Sequence, residues 1–433
     1  MPTHPLHITR LAAVLICCAS FAFAQDAPTG GGPKVNDTLF RSADIAGMTA
    51  VTQVFGRSQN VVAVIVEFAA PVAADLVTAA SFVVEDRSIL SVRVTATAEL
   101  DAPQADGRFV VITLDPADAA SVVYAGGVDT APQVVTRIAA PVALVGGAMV
   151  QPGEKGILAT RIRNLVVDDF QQFRFADPVS GLLLDYNLYI PKDYDPARSY
   201  PLVLFLHDAG VTGSNPRRTL QQGLGAVAFA SAEDQARNPA FVLAPQFPVP
   251  LANDASQTSV YVDLVPRLID QIARTYAVDR DRLYTTGQSG GCMTSLALGI
   301  SNPDLFAATF CVAGQWDAAQ VAPLADDALW VLVSEDDTKA FPGMTAIMDT
   351  LQANGAAVTR GRLDAKAPAG EQARAVAAIR AQADKDSRVF FTTFTPGSVL
   401  DAGATEGGAG HVNTWVYAYA IPAIRDWLFD QRR

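Results

Sequence analysis

The segment Thr286-Gly287-Gln288-Ser289-Gly290-Gly291 constrains this chain more than any other. It joins the apolar run Leu283–Thr286, read as a strand, to a stretch read as a helix. A serine with glycine two residues to either side suits a sharp strand-to-helix turn, where the backbone doubles back so closely that no flanking side chain fits. Such a turn exposes the serine hydroxyl. It also aims the helix N-terminus, with its unpaired amides and positive dipole end, at any negative charge that develops there. A turn without chemistry could carry the same residues, and it is the strand before and the helix after that favour a nucleophile elbow.

The rest of the chain supplies two rhythms. Residues 1–24 read as a secretory leader: Arg10, the apolar core Leu11–Ile16 with Cys17, Cys18 and Ala19, then Ala22-Phe23-Ala24 as a small-x-small cleavage site. Acylation at Cys17 or Cys18 fits poorly, because bulky Ile16 or Cys17 would precede the cut. Residues 25–38, with Gly30-Gly31-Gly32-Pro33, read as a flexible lead-in. Residues 39–160 are expected to form an all-β immunoglobulin-like sandwich, from short Val/Ile/Thr/Phe runs at Val61–Phe68, Phe82–Val84, Ile89–Thr95 and Phe109–Leu114. From residue 161 to 433 strands alternate with helices. Tyr186–Ile190, Leu202–Leu206, Val242–Ala244, Leu283–Thr286, Ala308–Val312, Leu329–Val333 and Val389–Thr393 read as strands. Val265, Leu268, Ile269 and Ile272 mark a helix, and another closes the chain from Tyr419 towards Phe429. This order implies an α/β unit, a mostly parallel sheet covered by helices on both faces.

A serine hydroxyl needs a general base, and the chain has four histidines. His4 and His7 leave with the leader. His207 precedes the serine and follows the strand Leu202–Leu206, a place suited to an oxyanion loop, so a structural role beneath that loop is expected for it. His411, in Gly407-Gly408-Ala409-Gly410-His411, follows the serine and is expected in a flexible loop before the last helix; it is the candidate base. The acid should lie between them after a strand. Ser334-Glu335-Asp336-Asp337 follows Leu329–Val333, with Asp337 favoured and Asp336 in reserve. Backbone amides of Gly290 and of Asp208 or Ala209 are the candidate oxyanion donors. Trp316 and Trp415 are candidates for the wall of a substrate pocket, or else core.

Composition limits the alternatives. Half of the 433 residues are hydrophobic and 18% are charged, which is enough apolar material for large cores. The net charge is −12, and loss of Arg10 with the leader makes it one more negative. Without a basic patch, that argues against nucleic-acid or anionic-membrane partners. After cleavage only Cys292 and Cys311 remain, either as a bridge or as two buried thiols, and no zinc-type spacing occurs. No metal or organic cofactor is implied.

Taken together, Tyr200–His207, Asn238–Gln246, Gly287–Gly291, Glu335-Asp336-Asp337 and His411-Val412-Asn413-Thr414-Trp415 resemble secreted α/β-hydrolase esterases with an immunoglobulin-like N-terminal domain, related to polyhydroxybutyrate-depolymerase-like and feruloyl-esterase-like enzymes. Val61–Phe68 through Gly107-Arg108-Phe109-Val110 resemble that family's sandwich. The resemblance implies an exported serine carboxylic-ester hydrolase working through an acyl-enzyme, on a small-molecule or polymeric ester. It also implies Asp337, the second Asp of the Glu-Asp-Asp turn, as the acid. The chain departs from the family in two places: His207-Asp208 stands where His-Gly is usual, and Gly290 stands where Met is common. The rival readings are a serine peptidase of the same fold and an inert polymer-binding protein.

Overall fold

The computed structural model describes residues 42–385, 387–401 and 408–433; the expected leader and lead-in lie outside the described residues. The first strands are β1 (Ile45–Val54), β2 (Ser58–Val72), β3 (Phe82–Val84), β4 (Ile89–Thr95), β5 (Gly107–Leu114), β6 (Val122–Ala125), β7 (Val128–Asp129) and β8 (Val135–Ile138). The short β9 (Val142–Ala143), β10 (Met149–Val150), β11 (Ile157–Leu158) and β12 (Arg161–Asn164) complete this half. One layer runs β12-β1-β2-β5-β4, with β6 on β2 and β7 on β6; a second runs β11-β8-β3. Alternation along β2 feeds both faces of its sheet. Val64, Val66 and Phe68 pack with Phe82, Val84, Val110 and Ile112, while Ala63 and Ile65 pack with Val51 and Val111 on the other side.

The expected boundary after residue 160 falls inside this sheet, because β12 pairs in parallel with β1, Thr49 opposite Arg161. Local patterning carries no trace of a pairing more than a hundred residues apart.

The second half is a nine-stranded sheet ordered β13-β14-β16-β15-β17-β18-β19-β21-β20. Its strands are β13 (Phe170–Ala176), β14 (Leu183–Tyr189), β15 (Tyr200–Leu206), β16 (Phe241–Gln246), β17 (Val278–Gln288), β18 (Ala308–Val312), β19 (Leu329–Ser334), β20 (Val358–Leu363) and β21 (Val389–Phe394). Only β13 and β14, at one edge, run antiparallel to their neighbours. The helices are α1 (Arg217–Gln221), α2 (Leu224–Val227), α3 (Ala232–Arg237), α4 (Val265–Thr275), α5 (Gly290–Ser301), α6 (Ala340–Ala353), α7 (Ala369–Ala381), α8 (Gly408–Ala418) and α9 (Pro422–Phe429).

Continuous apolar runs make the central strands, because a parallel sheet is buried on both faces. Leu202, Leu204 and Leu206 of β15 meet Val265, Leu268, Ile269 and Ile272 of α4; Val203 and Phe205 meet the opposite core with Leu220, Val227, Ile424 and Trp427. In β19 the same alternation sends Val331 and Val333 towards Leu296 of α5 and Met344 and Ile347 of α6. Trp330 and Leu332 go to the core of α7 and α9. Helices thus cover both faces, as expected.

The two halves share buried contacts. Val54 of β1 belongs to the core that contains Leu220, Val227 and Trp427. Gln221 Nε2 donates to Gln59 Oε1 at 2.9 Å, and Gln59 Nε2 donates in turn to Thr52 Oγ1 and Asn164 Oδ1. Gly56 lies against Val416 of α8, so closely that a Cβ there would sit 2.5 Å from its Cγ1.

Candidate active site

The C-terminal end of the parallel strands is where side chains from several loops converge, and β15, β17 and β19 each deliver one part of the site there. Strand β17 ends at Gln288, and α5 begins at Gly290. Between them Ser289 has φ 51° and ψ −119°, a conformation that costs a non-glycine residue about 1–3 kcal/mol. The flanking glycines have steric reasons. A Cβ on Gly287 would fall on the backbone of Gly291, and one on Gly291 would fall on the Leu206 carbonyl at the end of β15. The turn is pinned by Ser289 N–H, which donates to Val312 O at 3.0 Å.

His411 lies within reach: its Nε2 is 2.9 Å from Ser289 Oγ, and its Nδ1 is 2.5 Å from Asp337 Oδ2. An ionised carboxylate only accepts, so Nδ1 carries the proton and Nε2 is free to accept from the serine hydroxyl. His411 was expected in a flexible loop. It sits instead in the first turn of α8, for which the glycine-rich approach has a packing reason: a Cβ on Gly410 would lie 2.5 Å from Asp336 O. The helix also places Trp415 one turn on, its ring edge-on to the imidazole with centroids 5.1 Å apart.

The three carboxylates after β19 have separate partners. Glu335 accepts from Arg362 Nε (2.8 Å) and Thr393 Oγ1 (2.7 Å). Asp336 accepts from Gly397 N–H at 2.8 Å. Asp337 alone reaches His411, and it accepts also from the amides of Ala340 (2.8 Å) and Lys339 (3.1 Å). Burial of the Asp337 carboxyl opposes its ionisation, but the bonds from His411 and the two amides outweigh it and hold its pKa below the usual range.

The loop after β15 contributes backbone. His207 is fully buried; its Nδ1–H donates to Asp208 O at 2.6 Å and its Nε2 accepts from Phe247 N–H at 3.0 Å. Burial lowers its pKa, opposed by the Asp208 carbonyl and carboxylate, so the ring is a neutral spacer under the loop. A trans peptide sets its C=O and N–H on opposite sides. Holding Asp208 O against His207 therefore turns Ala209 N–H away from that ring, and Ala209 N lies 3.7 Å from where a Cβ on Gly290 would stand.

Trp316 and Trp415 are each 7% exposed. Trp316 packs with Met293, Leu324 and Met344, and Trp415 packs with Trp427 and Tyr419 in their respective cores. Cys292 and Cys311 are free and buried. Burial and the neighbouring Cys311 push the Cys292 thiol up, which makes it an inert filler. One side chain at the site had no sequence signal: Gln288 occupies a variable position of the motif, yet it donates to Asp208 Oδ2 at 2.9 Å. A cleft of about 860 Å³ lined by Leu100, Arg163, Lys192 and Glu233 lies between the two halves and contains none of the converging residues. Among the described residues no His, Cys, Asp and Glu cluster could hold a metal ion.

Residues 47–145 match the family model of the esterase Ig-like N-terminal domain. No curated protein matches the chain. Among solved structures, the crystal structure of a thermostable esterase is 25% identical, covers 90% of this chain and 100% of its own length, and superposes with a TM-score of 0.77. The feruloyl esterase module from Clostridium thermocellum is 14% identical over 58% of this chain and 86% of its own, with a TM-score of 0.39. A thermophilic esterase from Thermogutta terrifontis is 13% identical over 61% and 95%, with a TM-score of 0.40.

Proposed function

We propose that the chain, an esterase-type α/β hydrolase with an immunoglobulin-like N-terminal domain, cleaves carboxylic esters with Ser289, His411 and Asp337 as its catalytic triad. The observation that carries the proposal is the continuous hydrogen-bond chain from Asp337 through His411 to a serine held at positive φ.

The chemistry follows from that chain. His411 Nε2 takes the proton of Ser289 as Oγ attacks the ester carbonyl, and the imidazolium that forms is held by Asp337. The tetrahedral oxyanion develops beside the N-terminus of α5 and accepts hydrogen bonds from Gly290 and Ala209; Asp208 N–H is the less suited donor of the pair the loop offers. His411 returns the proton to the leaving alcohol, and the acyl-enzyme is hydrolysed by water activated at the same nitrogen. Trp415 holds the imidazole by its edge. Trp316, with little exposed surface, offers a substrate no more than an edge.

The leader-like residues 1–24 support export, with the mature chain beginning at Gln25. No helix among the described residues is long and apolar enough to cross a membrane.

A fluorophosphonate probe tests the triad directly. Its adduct is expected on the peptide containing Ser289, lost in Ser289→Ala and much slower in His411→Ala. A folded protein that stays unlabelled would contradict the proposal.

A further inference from the structure

Asp208 puts a carboxylate on the loop whose backbone faces the nucleophile, where negative charge is unwelcome. The structure shows both of its oxygens in use. Oδ1 accepts from Gly210 N–H at 2.6 Å, and Oδ2 accepts from Gln288 Nε2 at 2.9 Å. Gly210 is matched to this arrangement, since a Cβ there would lie 2.8 Å from Asp208 Oδ1. Gln288 is fully buried, and its Nε2 also donates to Gln222 Oε1 at 3.1 Å. A carboxylate can only accept, so the orientation of the Gln288 amide is dictated by Asp208. The consequence is visible at the other end of that amide, where Gln288 Oε1 is buried without a partner among the described residues.

The two bonded groups belong to different strand ends. Asp208 follows β15 and immediately precedes Ala209; Gln288 ends β17 and is followed by Ser289 and Gly290. The Asp208–Gln288 bond therefore ties the loop that carries one oxyanion donor to the turn that carries the other. Oxyanion donors act only when their spacing suits the tetrahedral oxygen, so a tie across that gap bears on the transition state more than on the bound ester.

We propose that Asp208 is a positioning residue: through Gln288 and Gly210 it sets the separation of the Ala209 and Gly290 amides. The proposal rests on the serine-esterase reading above. It explains how a carboxylate is tolerated at this place, with its charge committed to the Gly210 N–H of its own loop and to the Gln288 amide at the end of β17.

The test is a double-mutant cycle on p-nitrophenyl acetate hydrolysis, with Asp208→Ala, Gln288→Leu, the double variant and Asp208→Asn. The rate of Ser289 phosphonylation is read in parallel, since it uses the same donors without requiring turnover. Each single variant is expected to lose about tenfold or more in kcat, and in phosphonylation rate, with KM within about twofold. The double variant should be no worse than the poorer single, because each single variant already removes the Asp208–Gln288 bond. Asp208→Asn should recover little of the rate: its Oδ1 still accepts from Gly210, but its Nδ2 meets the Gln288 Nε2 donor, and the Gln288 amide cannot flip without turning its Oε1 onto Gln222 Oε1. Multiplying losses, effects confined to KM or Tm, or an Asp208→Ala protein as fast as the parent would overturn the proposal. A parent protein that neither turns over ester nor is phosphonylated overturns the esterase reading as well, whereas an active parent with an unaffected Asp208→Ala overturns the positioning role alone.

Discussion

Asp336 and Asp337 are adjacent, both buried, and chemically identical, yet only one faces the imidazole. Their difference is one of direction: the turn after β19 sends Asp336 to Gly397 and Asp337 to His411. We expect Asp337→Asn to lower kcat on the order of 10³–10⁴-fold, because the imidazole loses its tautomer and its counter-charge. Asp336→Asn should leave kcat within about tenfold and instead cost about 1–3 kcal/mol of stability, by weakening the bonds to Gly397. Steady-state kinetics and thermal melts of the two variants separate these outcomes. The depressed pKa of Asp337 has a pH consequence of known sign. Its stabilising contribution is present above the unfolded carboxyl pKa of about 3.9 and is lost as pH falls through the lower folded value. Acid should therefore lower the Tm of Asp337→Asn less steeply than that of the parent. Ser289 was legible in the sequence because a sterically crowded turn imposes glycines that can be read. From the residues themselves Asp337 was favoured over Asp336 but not separated from it, since both follow the strand; the resemblance pointed to the same residue.

Elements were legible where burial is continuous and obscure where it is not. The runs Ala308–Val312, Leu329–Val333 and Val389–Thr393 lie within β18, β19 and β21 because every position there is buried. The edge strands β13 and β20 escaped notice: Gln171, Gln172 and Arg174 in one, and Arg360, Gly361 and Arg362 in the other, interrupt the apolar pattern. The closing helix runs Pro422–Phe429 rather than from Tyr419, since Pro422 suits a first turn. Helix α8 was hidden by its glycines, which disfavour a helix on propensity. Gly410 is required by the approach to Asp336, and the resulting packing with the β19 turn outweighs that penalty. Gly410→Ala should accordingly push the first turn of α8 off Asp336 and displace His411. A loss of about tenfold or more in kcat, with about 1–3 kcal/mol of destabilisation, is the expected result of kinetics and melting on this variant. Unchanged kinetics would mean that α8 is not seated as described.

At the scale of the molecule, sandwich and hydrolase are coupled by shared burial. Val54 is part of the hydrolase core, and Gln59 bonds Gln221 across the junction while satisfying Thr52 and Asn164 on its own side. Because these groups are buried, one half cannot open without exposing or orphaning polar atoms of the other. Calorimetry of the mature protein should show one cooperative unfolding transition, and Gln59→Ala should lower it by several degrees through the partners left unpaired. Two well-separated transitions in the parent would contradict a shared core. The β-rich composition announced the sandwich, but its junction with the hydrolase rests on long-range pairs such as Thr49 with Arg161, which no local pattern encodes.

The most direct test is hydrolysis of p-nitrophenyl acetate, butyrate and octanoate by the mature protein beside Ser289→Ala. Release of p-nitrophenol from at least one ester, falling by about 10⁶-fold or to background in the variant, is the expected result. Equal activity in the variant, or none in a folded parent on any chain length, would contradict a serine esterase centred on Ser289.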